Sequence, residues 1–159
     1  MPDSLADSVT ARLAEAGHVL PRPAAPVAAY VPTVLASGLL HVSGQLPFVD
    51  GGLMTGRLGE DVTTEQGYAA AQACALMLLA QVKAAVGSLD RVERVVKLGA
   101  FVNSAGTFTD QPKVANGASE LMVLAFGEAG RHARSAVGVP VLPLGAAVEI
   151  DAVFAVRAH

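Results

Sequence analysis

The chain has 159 residues and a net charge of −3, with 52% hydrophobic and 16% charged residues. That size fits one domain, and the composition excludes intrinsic disorder, which needs low hydrophobicity and high net charge. A small domain has too much surface to cover with so few charges, so the chain is expected to bury apolar surface against copies of itself.

Residues 3–16 read as a short helix, with Leu5, Val9 and Leu13 at four-residue spacing and Gly17 ending it. The prolines Pro21, Pro23 and Pro26 make the next stretch an extended arm. Residues 1–25 are thus a helix and arm leading into a single domain over 26–159. Val27 to Leu35 and Leu39 to Ser43 suit two strands joined by a turn at Ser37-Gly38, and Asp50-Gly51-Gly52 makes a second turn. Thr63 with Gln66 is a capping-box signature. It opens a helix running to Val86, with Tyr68, Leu76, Leu79, Val82 and Val86 on its apolar stripe and Gly87 as its stop. Val92 to Val102 reads as a strand placing Val96, Leu98, Ala100 and Val102 on one face. Asp110 caps a second long helix, with Pro112 in its first turn and Val114, Leu121 and Leu124 facing the core, ending at Gly127 or Gly130. Arg134–Val139 and Ala147–Val156 finish the chain as strands, joined by a stiff connector from Pro140 to Gly145.

Strand–helix–strand segments imply some parallel pairing, and the hairpins add antiparallel pairs. The expected fold class is α+β: a mixed sheet with two helices packed on one face. In the last strand Val148, Ile150, Ala152, Phe154 and Val156 point one way, toward the helices. Ala147, Glu149, Asp151, Val153 and Ala155 point the other. A face mixing small apolar residues with two carboxylates suits a subunit interface holding a polar pocket.

Several function classes are disfavoured. The longest apolar run of the most hydrophobic segment, Ala73 to Ala80, is far short of the ~20 residues of a membrane span. The acidic start (Asp3, Asp7, Glu15) does not resemble a secretory signal. The lone cysteine, Cys74, cannot form an internal disulfide or a structural zinc site and fits a reducing cytoplasm. Tryptophan is absent, and the one basic cluster, Arg91, Arg94 and Lys97, reads as a strand's solvent face, which argues against nucleic-acid binding. No nucleotide-binding or nucleophile-elbow motif occurs, and His18, His41, His132 and His159 lack metal-ligand spacing. No metal and no organic cofactor is expected.

Arg134 opens an apolar strand. Its guanidinium forks toward carboxylates, either Glu149 or Asp151 in a structural ion pair or the carboxylate of a ligand. Glu149 and Asp151 share a strand face, where one carboxyl can serve as general acid or base or both can be plainly solvated. Tyr30 offers a hydroxyl to a cleft or packs as an ordinary strand tyrosine. Ser43 and Gly44 end a strand in a turn that can present backbone donors, or simply form a bulge.

The segments V-S-G-Q-L-P at Val42–Pro47, G-A-F-V-N at Gly99–Asn103, A-R-S-A-V-G-V at Ala133–Val139 and V-E-I-D-A at Val148–Ala152 resemble the Rid family. These are the reactive intermediate deaminases, or YjgF-like proteins, once called endoribonuclease L-PSP. The likeness covers about residues 26–156, and the stretch Thr109–Ser119 with the longer N-terminus resembles a distinct subgroup. It implies a chorismate-mutase-like fold, a homotrimer with a central barrel of sheets, and clefts between subunits. There, enamines and imines of small 2-amino acids would be hydrolysed to 2-keto acids and ammonia. The family's carboxylate-binding arginine falls on Arg134, its cleft glutamate on Glu149 and its cleft tyrosine on Tyr30. Ser135, Ala136, Ser43 and Gly44 would line the substrate. The sequence departs from the family pattern at Ala136, where a cysteine is frequent, around Tyr30, and after the middle strand, where Gly106 lies nearest the usual asparagine. A non-catalytic trimer binding a carboxylate metabolite or a protein partner is the alternative, ahead of a ribonuclease.

Overall fold

A five-stranded mixed sheet carries two long helices on one face, in a computed structural model that describes residues 7–26 and 28–158. The elements run α1 (Ser8–Glu15), β1 (Thr33–Ala36), β2 (Leu39–Gln45), β3 (Phe48–Val49), β4 (Gly52–Leu53), α2 (Thr64–Val86), β5 (Val92–Asn103), α3 (Gln111–Phe126), β6 (Ala133–Val139) and β7 (Val148–Val156). The sheet order is β1-β2-β7-β5-β6, with β5 and β6 parallel and the other neighbours antiparallel. β3 and β4 form a separate small hairpin. This is the expected α+β arrangement, a mixed sheet with both long helices on one face.

Local chemistry explains most boundaries. Thr63 Oγ1 accepts from the Gln66 amide while the Gln66 side chain accepts from the Thr63 amide, closing the capping box at the start of α2. Gly87 ends that helix at φ 87°, a left-handed conformation that a side chain would strain. At 23 residues α2 is long and apolar enough to cross a membrane by length and composition alone, but it is the core helix: 67% of its most apolar window is buried by the rest of the protein. Buried α2 residues include Ala71, Cys74, Leu78 and Val82, whereas Tyr68 and Leu76 are only partly covered.

The alternation in β7 follows the sequence pattern. Val148, Ile150, Ala152, Phe154 and Val156 are buried under the helices, and Glu149 and Asp151 lie on the open face. In β5 the expected alternation fails at one point. Register shifts between Val92 and Arg94 and between Val95 and Lys97 mark irregular pairing, so Val95 is buried and Val96 is not. Leu124 on α3 is likewise turned out, with 38% of its surface exposed. Asp110 stands at the N-cap of α3 without a side-chain capping bond. The first strand is shorter than its sequence suggests, starting at Thr33; Val27 and residues 3–6 of the expected first helix lie outside the described residues. α1 buries Val9 and Leu13 in the main core, and Asp7, which caps it, pairs with Lys83 at 3.6 Å.

α2 and α3 cross closely at Gly117. A methyl group there would stand 2.0 Å from the Tyr68 carbonyl oxygen. This contact fixes α3 above the β5–β6 edge and so positions the polar residues that α3 turns toward β6.

Candidate functional site

Strand register decides where the expected site residues go. Arg134 is level with Leu98 on β5, and Leu98 is level with Ala152 on β7. Leu98 and Ala152 face the helices, so Arg134 and Ala136 do too. Ser135 and Glu149 belong to the open face; Ser135 is level with Gly99 and through it with Asp151. Arg134 and Glu149 therefore lie on opposite faces, two strands apart, and each strand step adds about 4.8 Å. The ion pair from Arg134 to Glu149 or Asp151 does not form. The expected residues fall into two groups within one chain.

The first group surrounds Arg134 on the edge strand β6. Its Nη1 donates to Asn116 Oδ1 at 2.8 Å and to Ser119 Oγ at 3.1 Å. Both acceptors come from one face of α3, three residues apart. Among the described residues, the Nε–Nη2 edge of Arg134 has no partner. That edge is the side-on fork that fits a carboxylate. His132 lies two residues upstream, with Nε2 2.9 Å from Ser119 Oγ and Nδ1 2.7 Å from the Gly130 carbonyl oxygen. Burial, reinforced by the positive charge of Arg134, holds the His132 pKa below its ordinary value. Arg134, Ser119 and His132 line a cavity of about 490 Å³ formed with Glu120, Val123 and Arg131.

The second group lies around β2 and β7. Ser43 Oγ donates to the Val31 carbonyl at 2.9 Å and its amide to the Pro32 carbonyl, so Ser43 ties the Tyr30 segment to the sheet. Register shifts between Val42 and Gln45, leaving Ser43 and Gly44 out of the regular ladder. Gly44 sits directly against Glu149: a methyl group there would come within 2.5 Å of Oε1. Tyr30 is 51% exposed. With Ala24, Ala25, Pro26, Pro32, Gly44, Gln45, Leu46, Phe48 and Leu144 it borders a mainly apolar cavity of about 200 Å³. Gln81 on α2 ties two of these residues together, donating to Ala24 O at 2.8 Å and Gln45 Oε1 at 3.3 Å.

Burial, and then the neighbouring Asp151 carboxylate, raise the Glu149 pKa above its ordinary value. The folded state then holds this proton more tightly than the unfolded chain. Stability is lost as pH rises from the unfolded pKa through the folded one. Glu149→Gln is therefore expected to raise the melting temperature at pH 7.5 and to leave it nearly unchanged at pH 4, as read by calorimetry at both pH values.

Asn116, Ser119 and His132 are the polar residues that sequence reading did not attach to the site. The Asn116–Ser119 pair at helical spacing and the two-residue step from His132 to Arg134 were the available signals. Only the packing of α3 on β6 joins them. Among the described residues no group of three or more His, Cys, Asp or Glu could hold a metal ion. Cys74 is buried, and burial raises its pKa well above the ordinary thiol value.

Comparison with known proteins agrees with this architecture. Residues 10–156 match the family model described as "YjgF/chorismate_mutase-like, putative endoribonuclease". Protein TCP17 of Trypanosoma cruzi is 58% identical over 91% of each chain. The crystal structure of Atu1372 from Agrobacterium tumefaciens superposes with a TM-score of 0.89 at 46% identity, covering 94% of this chain and 92% of that one. RidA from the Antarctic bacterium Psychrobacter gives a TM-score of 0.59 at 28% identity, over 87% of this chain and 97% of its own. With a family match spanning nearly the whole chain and a fold shared with these solved structures, the protein belongs to the YjgF/chorismate-mutase-like family.

Proposed function

We propose that the protein is a cytoplasmic homotrimer that hydrolyses enamine and imine intermediates of small 2-amino acids to 2-keto acids and ammonia. The observation that carries this reading is the unpartnered Nε–Nη2 edge of Arg134, beside an Nη1 already fixed by Asn116 and Ser119. A guanidinium held on one side and open on the other is preorganised for a bidentate carboxylate. The Arg134 group lies at an exposed sheet edge, and the Glu149–Gly44–Tyr30 group lies elsewhere on the same chain. A heterologous contact between copies brings one group against the other, so each cleft takes Arg134, Ser135 and Ala136 from one subunit and Tyr30, Ser43, Gly44 and Glu149 from the next. Exposed Val34, Leu35 and Val137 supply apolar surface for that contact.

In the cleft, Arg134 orients the substrate carboxylate and with it the adjacent imine carbon. Ionised Glu149 accepts a proton from the water that attacks this carbon. The raised pKa lets it keep that proton long enough to return it to nitrogen. The hydroxyl proton of the resulting carbinolamine then passes to nitrogen through the same carboxylate as the carbon–nitrogen bond breaks, releasing ammonia and the keto acid. Tyr30 closes the cleft beside Gly44. Enzymatically generated imines, offered as a panel to the purified protein, test the reading directly. Faster release of ammonia and keto acid than in buffer is expected. Stabilisation by keto acids with no turnover of any imine would replace the enzyme with a metabolite-binding trimer.

A further inference from the structure

Ser119 and His132 take no part in the water attack described above, yet they form an ordered hydrogen-bond chain. His132 Nδ1 faces the Gly130 carbonyl, which only accepts, so Nδ1 carries the proton of the neutral ring. Nε2 is then an acceptor, 2.9 Å from Ser119 Oγ. Arg134 only donates, so its Nη1 contact occupies a lone pair of Ser119 Oγ. The Ser119 hydrogen is left pointing at Nε2. Fixing the Arg134 side chain requires Asn116 and Ser119 but not an imidazole behind the hydroxyl. A hydroxyl with a neutral imidazole acceptor on one side, a cationic donor on its oxygen, and the imidazole oriented by a third group is the arrangement of an activated nucleophile.

We propose that Ser119 is a nucleophile, activated by His132, for the hydrolysis of small carboxylate-bearing esters in the cavity between α3 and β6. The cavity is about 490 Å³ and has room for such a molecule. Its other charged groups are already engaged: Glu120 accepts from the Tyr68 hydroxyl, and Arg131 Nε pairs with Glu128 at 3.2 Å. The free edge of Arg134 selects for a carboxylate on the substrate. Ser119 Oγ forms a bond to the ester carbonyl carbon while its proton passes to His132 Nε2. The carbon–oxygen bond to the alcohol breaks, and the departing oxygen takes that proton. Water then attacks the acyl-Ser119 ester, giving its proton to Nε2, which returns it to Oγ as the carboxylic acid leaves. The sum is ester plus water to acid plus alcohol, with no redox change. Neither Glu149 nor Tyr30 takes part, but the Arg134 fork is common to both reactions, so an ester and an imine compete for it. The lowered His132 pKa keeps the ring a free base at neutral pH.

A fluorophosphonate probe on the full chain, followed by peptide mass spectrometry, tests the assignment. The adduct is expected on Ser119, absent in Ser119→Ala, and formed about tenfold or more slowly in His132→Gln. In the wild type its rate should stay level down through His132's ordinary 6.5 and fall only at a lower pH, because burial holds the pKa down. Mono(4-nitrophenyl) glutarate should show a kcat/KM about tenfold above that of 4-nitrophenyl acetate. No adduct on Ser119 in the folded wild type, a labelling rate unchanged in folded His132→Gln, or equal kcat/KM for the two esters would overturn the proposal.

Discussion

Arg134→Ala is expected to lower kcat/KM for 2-iminopropanoate by a factor of about 10² to 10³, because a bidentate charge-assisted pair contributes roughly 3–4 kcal/mol. The loss should fall on both kcat and KM, since the arginine both binds the substrate and places the imine carbon. Arg134→Lys should recover little, because an ammonium lacks the planar fork. Stability should barely change: Asn116 and Ser119 lose a donor, but neither is fully buried and water can replace it. Steady-state kinetics on an enzymatically generated imine, beside a melting curve, give both numbers. Activity within twofold of wild type in a folded Arg134→Ala protein would remove the arginine from the mechanism.

Gly117→Ala is expected to destabilise the fold by about 3 kcal/mol, at the upper end of what overpacking costs. The new methyl would meet the Tyr68 carbonyl oxygen at 2.0 Å and the Tyr68 carbonyl carbon at 2.9 Å. Both are backbone atoms, so no side chain can swing aside. α2 and α3 must separate instead. That movement carries Asn116 and Ser119 away from Arg134, so activity should fall with stability. The shift of the urea midpoint reads the first effect. A midpoint equal to wild type would show that the two helices do not cross as closely as described.

How much of this was readable from residues differs between fold and site. The Thr63–Gln66 capping box, the Gly87 stop and the alternation of β7 are local signals, and the structure repeats them because burial and capping act on the residues that carry them. The β5 pattern went wrong at Val96 because an irregularity in pairing is decided by the neighbouring strand. Leu124 was misplaced because the face of α3 that packs on α2 is centred on Gly117 and Leu121, and an apolar residue at the margin of that stripe can face outward. For the candidate site, Arg134, Glu149, Tyr30 and Gly44 were visible as candidates by residue type. Their partition was not, since it depends on strand order and on which face each strand turns to the helices. The Asn116–Ser119–His132 cluster was hidden for a related reason. It joins residues from a helix and the strand start that follows it, and no short-range pattern marks such a contact.

The central claim is that one cleft needs two chains, and subunit complementation tests it most directly. Arg134→Ala and Glu149→Gln should each be inactive alone. When the two proteins are unfolded together and refolded as mixed oligomers, a cleft pairing the intact Arg134 of one variant with the intact Glu149 of the other regains both groups. Random mixing of equal amounts in a cyclic assembly restores about one quarter of the clefts. Recovery of roughly that fraction of wild-type imine hydrolysis is the predicted result. No recovery in oligomers shown by mass spectrometry to contain both variants would contradict a site shared between subunits.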